Sequence, residues 1–568
     1  MRVTTILTAL LLLFTIVVSA TTKTTTEEAA GTPFNPLLYS CMNDGSNSFK
    51  VVLGQETESV ATALFDGFPN ATGWIYLSIN TSSAYTDAAQ AQCAGYLEGY
   101  LTYQAIYFGR INYYKDRLGF DELPANLTAW IEDNIAWIYT NIDKYTNSES
   151  QMDKTDSLYV YWYQISLIMN QIESMLVGYT DAIVGTSLTP VTLADLFAMN
   201  MAGDMFDVIP AIQYMNGESL KPPATFVDLM KSSHCTALVK LTDDLSELYC
   251  GHVAWYFYSQ MLRVFKSYTF GFSATSQTVG NHQLFSAYPA TLSSIDDFYV
   301  LNTQLSILET TNNIFNFSLY ENVRPQSVLS WMRVLVSNRL STSGLQWCET
   351  VSLYNSGTYN NQWMVIDFKK FTPNVSLADG ALYVLEQIPG YIEYADQTAI
   401  LRMGYWPSYN VPFYETIYNM SGYNSNDLDG SLRQEMSYIG NARAMIMRRD
   451  ANKVYSVEDY QMYIQYNDYE TDPLAQDNPG NAIASRFDLL QQGPIAMGGI
   501  DGKMTSWSMV QKQTALAICG PTRIQQPSFT WDNEQFASTS HVGLPTSYEF
   551  DWVEITKDTF TPYVPRTP

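Results

Sequence analysis

Basic residues are scarce in this chain. Lys and Arg number 30 against 56 Asp and Glu, and there are only four His. The resulting net charge of −26 repels a phosphate backbone and so excludes nucleic-acid binding. It also disfavours an anionic membrane surface at neutral pH. As pH falls the carboxylates protonate and the repulsion falls with them, which leaves peripheral lipid-surface contact open at acidic pH. Charged residues reach only 15% while apolar ones reach 46%, a balance that excludes disorder.

Several motifs are missing as well. No G-x-S-x-G occurs; the nearest approach, Gly271-Phe-Ser-Ala-Thr275, fails at its last position, which argues against an α/β-hydrolase. No glycine-rich phosphate loop is present. His234, His252, His282 and His541 show no H-x-H or H-E-x-x-H spacing and the cysteines no C-x-x-C, so no metal site and no cofactor is expected. Cys41, Cys93, Cys235, Cys250, Cys348 and Cys519 lie far apart in a chain long enough to fold without staples. At most one or two bridges and at least one free thiol are expected.

The N-terminus carries Arg2, an apolar run from Ile6 to Val18, and small residues at Ser19 and Ala20. The run is shorter than the ~20 apolar residues of a spanning helix, so residues 1–20 read as a signal peptide. Sequons at Asn70, Asn80, Asn126, Asn316, Asn374 and Asn419 agree with passage through the secretory pathway and predict surface exposure. The expected location is secreted or lysosomal.

Residues 21–35 read as a flexible lead. Helical spacing then runs through 84–116, through 126–146 with Asn126 as N-cap, through 153–178 and through 192–201. The character changes near Ser232. Strands are expected at 236–241, 247–255 and 265–272, helical periodicity at 294–314 and 326–341, and strands again at 362–368, 381–386 and 514–518. Stretches near 406–426 and 466–482 read as long loops. Paired strands with runs of helices give an α+β fold with layered sheets.

Within this plan Cys235 begins an apolar strand after a polar loop. His252 lies seventeen residues on, on the strand that a hairpin returns alongside. An imidazole near a thiol favours thiolate. Equally, Cys235 can be a small buried apolar residue and His252 a satisfied core histidine. The residues alone leave both readings open.

The stretch His234–Tyr268, HCTALVKLTDDLSELYCGHVAWYFYSQMLRVFKSY, resembles the nucleophile region of the phospholipase B-like (lamina ancestor) family. Further blocks resemble the family at Ser294–Tyr299, Leu308–Asn312, Tyr354–Gln362 and Gly404–Phe413. The resemblance implies an N-terminal nucleophile (Ntn) hydrolase, four layers αββα, cut by itself between His234 and Cys235. Residues 21–234 would form a largely helical N-terminal fragment that stays associated, and 235–568 the catalytic fragment.

The activity implied is release of fatty acids from glycerophospholipids through a Cys235 acyl-enzyme. The alternatives are an amidase acting on N-acyl amides, and a glycoprotein that cleaves itself but has little hydrolase activity. Cys235 is the implied nucleophile and His252 the matched histidine, while Trp255, Thr311, Asn312 and Asn361 are implied in oxyanion or substrate positioning. Val253-Ala254 stand where the family often carries a hydroxyl.

Overall fold

The computed structural model describes residues 36–43, 48–146, 152–230, 235–425 and 430–565. The expected signal peptide, the lead to residue 35 and His234 lie outside the described residues.

The strand Thr236–Leu241 returns as Leu248–Val253 in an antiparallel hairpin, with Thr236 opposite Val253 and Ala237 opposite His252. The expected hairpin is therefore present. Around it is a seven-stranded sheet that also holds Tyr405–Ser408, Asp501–Ser506 and Ala515–Cys519. A second, eleven-stranded sheet is antiparallel at every pairing except one. There Trp74–Thr81 runs parallel to Arg263–Thr269, with Trp74 opposite Arg263 and Asn80 opposite Thr269.

The strands are buried on both faces, and successive residues serve different cores. Ala237, Val239 and Cys250 of the smaller sheet pack with Phe265, Leu308 and Met364 of the larger one in a shared core. The alternate residues Val264, Ile307 and Val365 turn the other way, onto Cys93, Leu97 and Trp347. Leu238 and Tyr249 turn onto Met447 and Tyr460. Each sheet thus has the other sheet on one face and helices on the opposite face, as period-two side chains on doubly covered strands require.

The helices follow their sequence signals. Thr86 caps Asp87–Leu101, Asp156 caps Ser157–Ala182, and Thr192 forms a capping box with Asp195 ahead of Leu193–Asn200. The first two pack unusually closely, because a Cβ on Gly95 would lie 1.8 Å from the Gln171 carbonyl oxygen and one on Gly178 would lie 2.2 Å from that of Tyr96. Cys41 and Cys93 form a disulfide, and the other four cysteines are free and buried, within the expected count.

Three expectations need correction. Residues 294–314 are strands, Phe298–Leu301 and Leu305–Thr311. They face apolar neighbours on both sides, so no alternation survives in the sequence to mark them. Asn126 is not an N-cap, since the helix spans Ala125–Thr146 and Asn126 lies in its first turn. The stretch 406–426, expected as a long loop, takes in the strand Tyr405–Ser408 and the helix Glu415–Met420. The part before residue 231 is largely helical, as expected, and adds four strands. Leu37–Asn43, Phe49–Leu53, Ala61–Asp66 and Trp74–Thr81 complete one side of the large sheet.

Of the sequon asparagines, Asn70, Asn126, Asn316, Asn374 and Asn419 are exposed. Asn80 is half-buried, paired with Thr62 on one side and Thr269 on the other.

Candidate active site

Cys235 stands just before its strand with φ at +84°, a backbone conformation that residues with a side chain rarely adopt. The surroundings hold it there. Arg443, on the helix Ala442–Asp450, donates through Nη1 to the Cys235 carbonyl at 2.8 Å, to Thr236 Oγ1 at 3.1 Å and to Asn410 Oδ1 at 2.9 Å. Its Nη2 donates to the Tyr409 carbonyl at 2.9 Å. The guanidinium lies 4.2 Å from the centroid of the Trp255 ring. A planar fork with five donors suits this task, as a lysine would not.

The Cys235 thiol faces Glu309, with Sγ 3.6 Å from Oε1. Burial, and then the charge of Glu309, push the thiol well above its ordinary range, while a hydrogen bond from the Trp255 backbone N–H pulls the other way. Glu309 is itself pushed up to about 8, chiefly by burial. Tyr359 donates to its Oε1 at 3.0 Å. The Asn361 amide donates to its Oε2 at 3.0 Å, and Thr311 Oγ1 to the same oxygen at 3.5 Å.

His252 is fully buried. Burial, then the ammonium of Lys503, hold its imidazole well below the usual histidine range. It is therefore neutral and supplies no positive charge to the thiol. Behind it lies a closed ionic cluster. Arg263 bridges Asp296 and Asp501 at 2.8 Å each, and Lys503 contacts Asp501 at 2.8 Å and also Asp296. Burial works to raise Asp296, but Arg263 and Lys503 win and keep it well below the carboxylate range. Asp501 also accepts the Ala254 N–H at 3.0 Å, so the cluster fixes the backbone beside Cys235.

Cys235, His252 and Glu309 each bring a ligand-capable atom within 4.8 Å of one another, and so do His252, Asp296 and Asp501. The donor chemistry fits a metal in neither case. Burial disfavours the thiolate that a metal would need in the first set, and the carboxylates of the second are committed to Arg263 and Lys503.

Of the residues singled out from sequence, His252, Trp255, Thr311 and Asn361 lie around Cys235 and Glu309, in different roles, while the Asn312 side chain turns to Glu386. Trp255 donates its indole N–H to the Ile483 carbonyl at 3.1 Å, so its backbone N–H is the part that reaches the sulfur. Thr311 and Asn361 are opposite each other in the sheet, and both turn their polar groups to Glu309. The Asn312 backbone N–H donates to the Asn360 carbonyl at 2.7 Å, and its side chain is buried. Glu309, Arg443, Asn410 and Tyr359 went unread. A carboxylate directly after the apolar pair Ile307-Leu308, in a strand buried throughout, is the one sequence signal that marks Glu309.

Cys235 lines a narrow pocket together with Phe206, Ala254, Trp255, Tyr256, Tyr288, Ile295, Asp296 and Tyr359. Tyr256, Tyr288 and Ile295 also line a second, mostly apolar pocket, whose other walls include Gly109, Tyr113, Met199, Ala202 and Leu262. Among the described residues no helix is long and apolar enough to cross a membrane.

Comparison with known proteins gives a consistent answer. A family model described as phospholipase B matches residues 61–555. Phospholipase B-like protein D of Dictyostelium discoideum is 44% identical over 534 residues, 92% of this chain and 92% of its own. Phospholipase B-like 1 of Homo sapiens is 37% identical over 498 residues, 87% of this chain and 86% of its own. Phospholipase-B 81 of Drysdalia coronoides is 35% identical over 517 residues, 90% of this chain and 91% of its own.

Proposed function

The chain belongs to the phospholipase B family, and from that premise we propose that it is an Ntn-type acyl hydrolase of the secretory pathway, secreted or lysosomal. It cuts itself between His234 and Cys235, then releases fatty acids from glycerophospholipids through a Cys235 thioester. The observation that carries this reading is the placing of the thiol. It sits at the start of a strand, at positive φ, with its sulfur against a carboxyl and its face on a cavity. Two facing sheets with helices outside them support the four-layer Ntn fold.

The chemistry needs the cut. A fully buried thiol is a poor nucleophile because its thiolate is disfavoured. Cleavage frees the Cys235 α-amine, whose ordinary pKa is ~7.7–8.0, directly beside the sulfur. That amine takes the thiol proton while the sulfur attacks the ester carbonyl, then returns it to the leaving alcohol. Water hydrolyses the thioester, the amine again accepting the proton. The apolar cavity that shares Tyr256, Tyr288 and Ile295 with the thiol's own cavity gives an acyl chain somewhere to lie.

The test is mass-spectrometric identification of the first residue of the C-terminal fragment, paired with fatty-acid release by the cleaved protein. We expect Cys235 at that end, release of fatty acid from phospholipid, and neither cleavage nor release in Cys235→Ala. A different first residue, or release that persists in Cys235→Ala, sinks the reading. Release from N-acyl amides but not from phospholipids would give the amidase alternative instead. A cleaved protein inactive on both would give the non-enzymatic one.

A further inference from the structure

Self-cleavage poses a problem that turnover does not. Before the cut, the nitrogen of Cys235 is an amide and cannot accept the thiol proton. Some other group must, and it must lie within reach of the sulfur. We propose that Glu309 is the proton carrier of self-cleavage, taking the proton from Cys235 Sγ and delivering it to the departing Cys235 nitrogen. The inference rests on the maturation reading above and adds to it a catalytic residue that is needed before the α-amine exists.

The geometry singles out this carboxyl. Oε1 of Glu309 is 3.6 Å from Sγ, within the reach of a sulfur hydrogen bond. His252, the other basic group beside the thiol, is held neutral by burial with Lys503 and Arg263 close by, and an added proton would make a third cation there. Glu309 is also oriented from behind. Tyr359, Asn361 and Thr311 hold its two oxygens. The titratable groups that face it are Cys235, Tyr359, Asp296, Asp297 and Lys503. Burial and the charge of Asp296 raise its proton affinity while the Tyr359 and Cys235 hydrogen bonds and Lys503 lower it, so it can both take a proton and give one up. A carrier should do both, and proton transfer is most efficient when donor and acceptor affinities are close to the working pH.

The step balances without any co-reactant except water. The S–H proton moves to Glu309 Oε1 as sulfur bonds to the His234 carbonyl carbon and the carbonyl π pair moves onto oxygen. The oxyanion collapses, the C–N bond to Cys235 breaks, and its nitrogen takes the proton back from Glu309. The products of this half are a thioester and a free α-amine. Water then adds to the thioester carbonyl, the C–S bond breaks, the thiol is restored and residue 234 ends in a carboxylate.

The test follows cleavage of the full-length chain over time after cell-free synthesis, read on denaturing gels. Glu309→Gln keeps the size and one acceptor oxygen but cannot carry a proton. It should cleave at least ~100-fold more slowly than wild type, the usual scale of a lost acid–base group. Glu309→Asp should retain measurable cleavage. Glu309→Ala should recover cleavage in added formate, which a purely structural role would not predict. Retention of the Cys41–Cys93 bridge and of a cooperative melt identifies folded variants.

Cleavage of Glu309→Gln within threefold of wild type overturns the proposal, as does a folded Glu309→Ala that formate leaves inert. A wild-type chain that stays whole overturns the maturation reading and this proposal with it. A wild-type chain that is cut alongside an equally cut Glu309→Gln overturns this proposal alone.

Discussion

Arg443 donates to the backbone carbonyl of Cys235 at 2.8 Å, so the residue that carries the thiol is held through its main chain by a side chain 208 positions away. The same guanidinium serves Thr236, Asn410 and Tyr409. Arg443→Met would take this donor from the buried Cys235 and Tyr409 carbonyls, at ~1–3 kcal/mol each. We expect a loss of ~3 kcal/mol in urea unfolding and slower self-cleavage. Equal urea midpoints for variant and wild type would show that the fork is dispensable.

The cavity behind Tyr256 and Tyr288 predicts a chain-length preference. Ala202→Leu puts a larger side chain into that space. The preference for long over short acyl chains should fall by ~10-fold, the value of one to two buried methylenes. Competition between 16-carbon and 8-carbon lysophospholipids measures it. An unchanged ratio would move the acyl chain elsewhere.

Buried carboxyls predict a loss of stability toward alkaline pH. Glu309 is pushed up to about 8, and Glu386 and Asp207 to about 7, each chiefly by burial. Unfolded, these groups return to the ordinary carboxylate range. From there up to pH 7–8 the native state keeps protons that the unfolded chain has released, so their contribution is lost as pH rises through that window. His282, pushed down to about 4 by burial, and His252, held well below its usual range, act in the opposite sense, but only below ~6.5. The melting temperature should therefore drop between pH 6.5 and 8.5, and Glu309→Gln should flatten the drop. A flat wild-type profile would contradict these shifts.

The Cys41–Cys93 bridge closes a loop of 52 residues and ties an edge-side strand of the large sheet to the helix Asp87–Leu101. Loop-closure entropy assigns it ~4 kcal/mol. A Cys41→Ala, Cys93→Ala double variant should melt well below wild type, and no difference under non-reducing conditions would mean that the bridge adds nothing.

Much of this arrangement was legible in the sequence. The helices declared themselves through apolar spacing, as at 153–178 and 192–201, whereas the one cap read from sequence, Asn126, lies inside its helix. The hairpin between Thr236 and Val253 did so through two apolar runs around a turn, and it put His252 near Cys235. What stayed hidden has a common physical cause. Strands such as Leu305–Thr311 are covered on both faces, so the pattern that separates strand from helix is erased. Glu309, buried within that strand, and Arg443, far along the chain, acquire their meaning only when two sheets meet. The roles of Thr311 and Asn361 were unreadable for the same reason, because their partner is Glu309.

The parallel pairing of Trp74–Thr81 with Arg263–Thr269 sets the fate of the molecule after a cut ahead of Cys235. These two strands come from opposite sides of the cut, and the disulfide joins Cys41 to Cys93, both on the same side. Reducing agent would therefore not release the pieces, but global unfolding would. The intact chain folds as a unimolecular reaction. The cut one, once unfolded, could return only through a bimolecular encounter at whatever dilution it met, so its durability becomes a matter of unfolding rate instead of equilibrium.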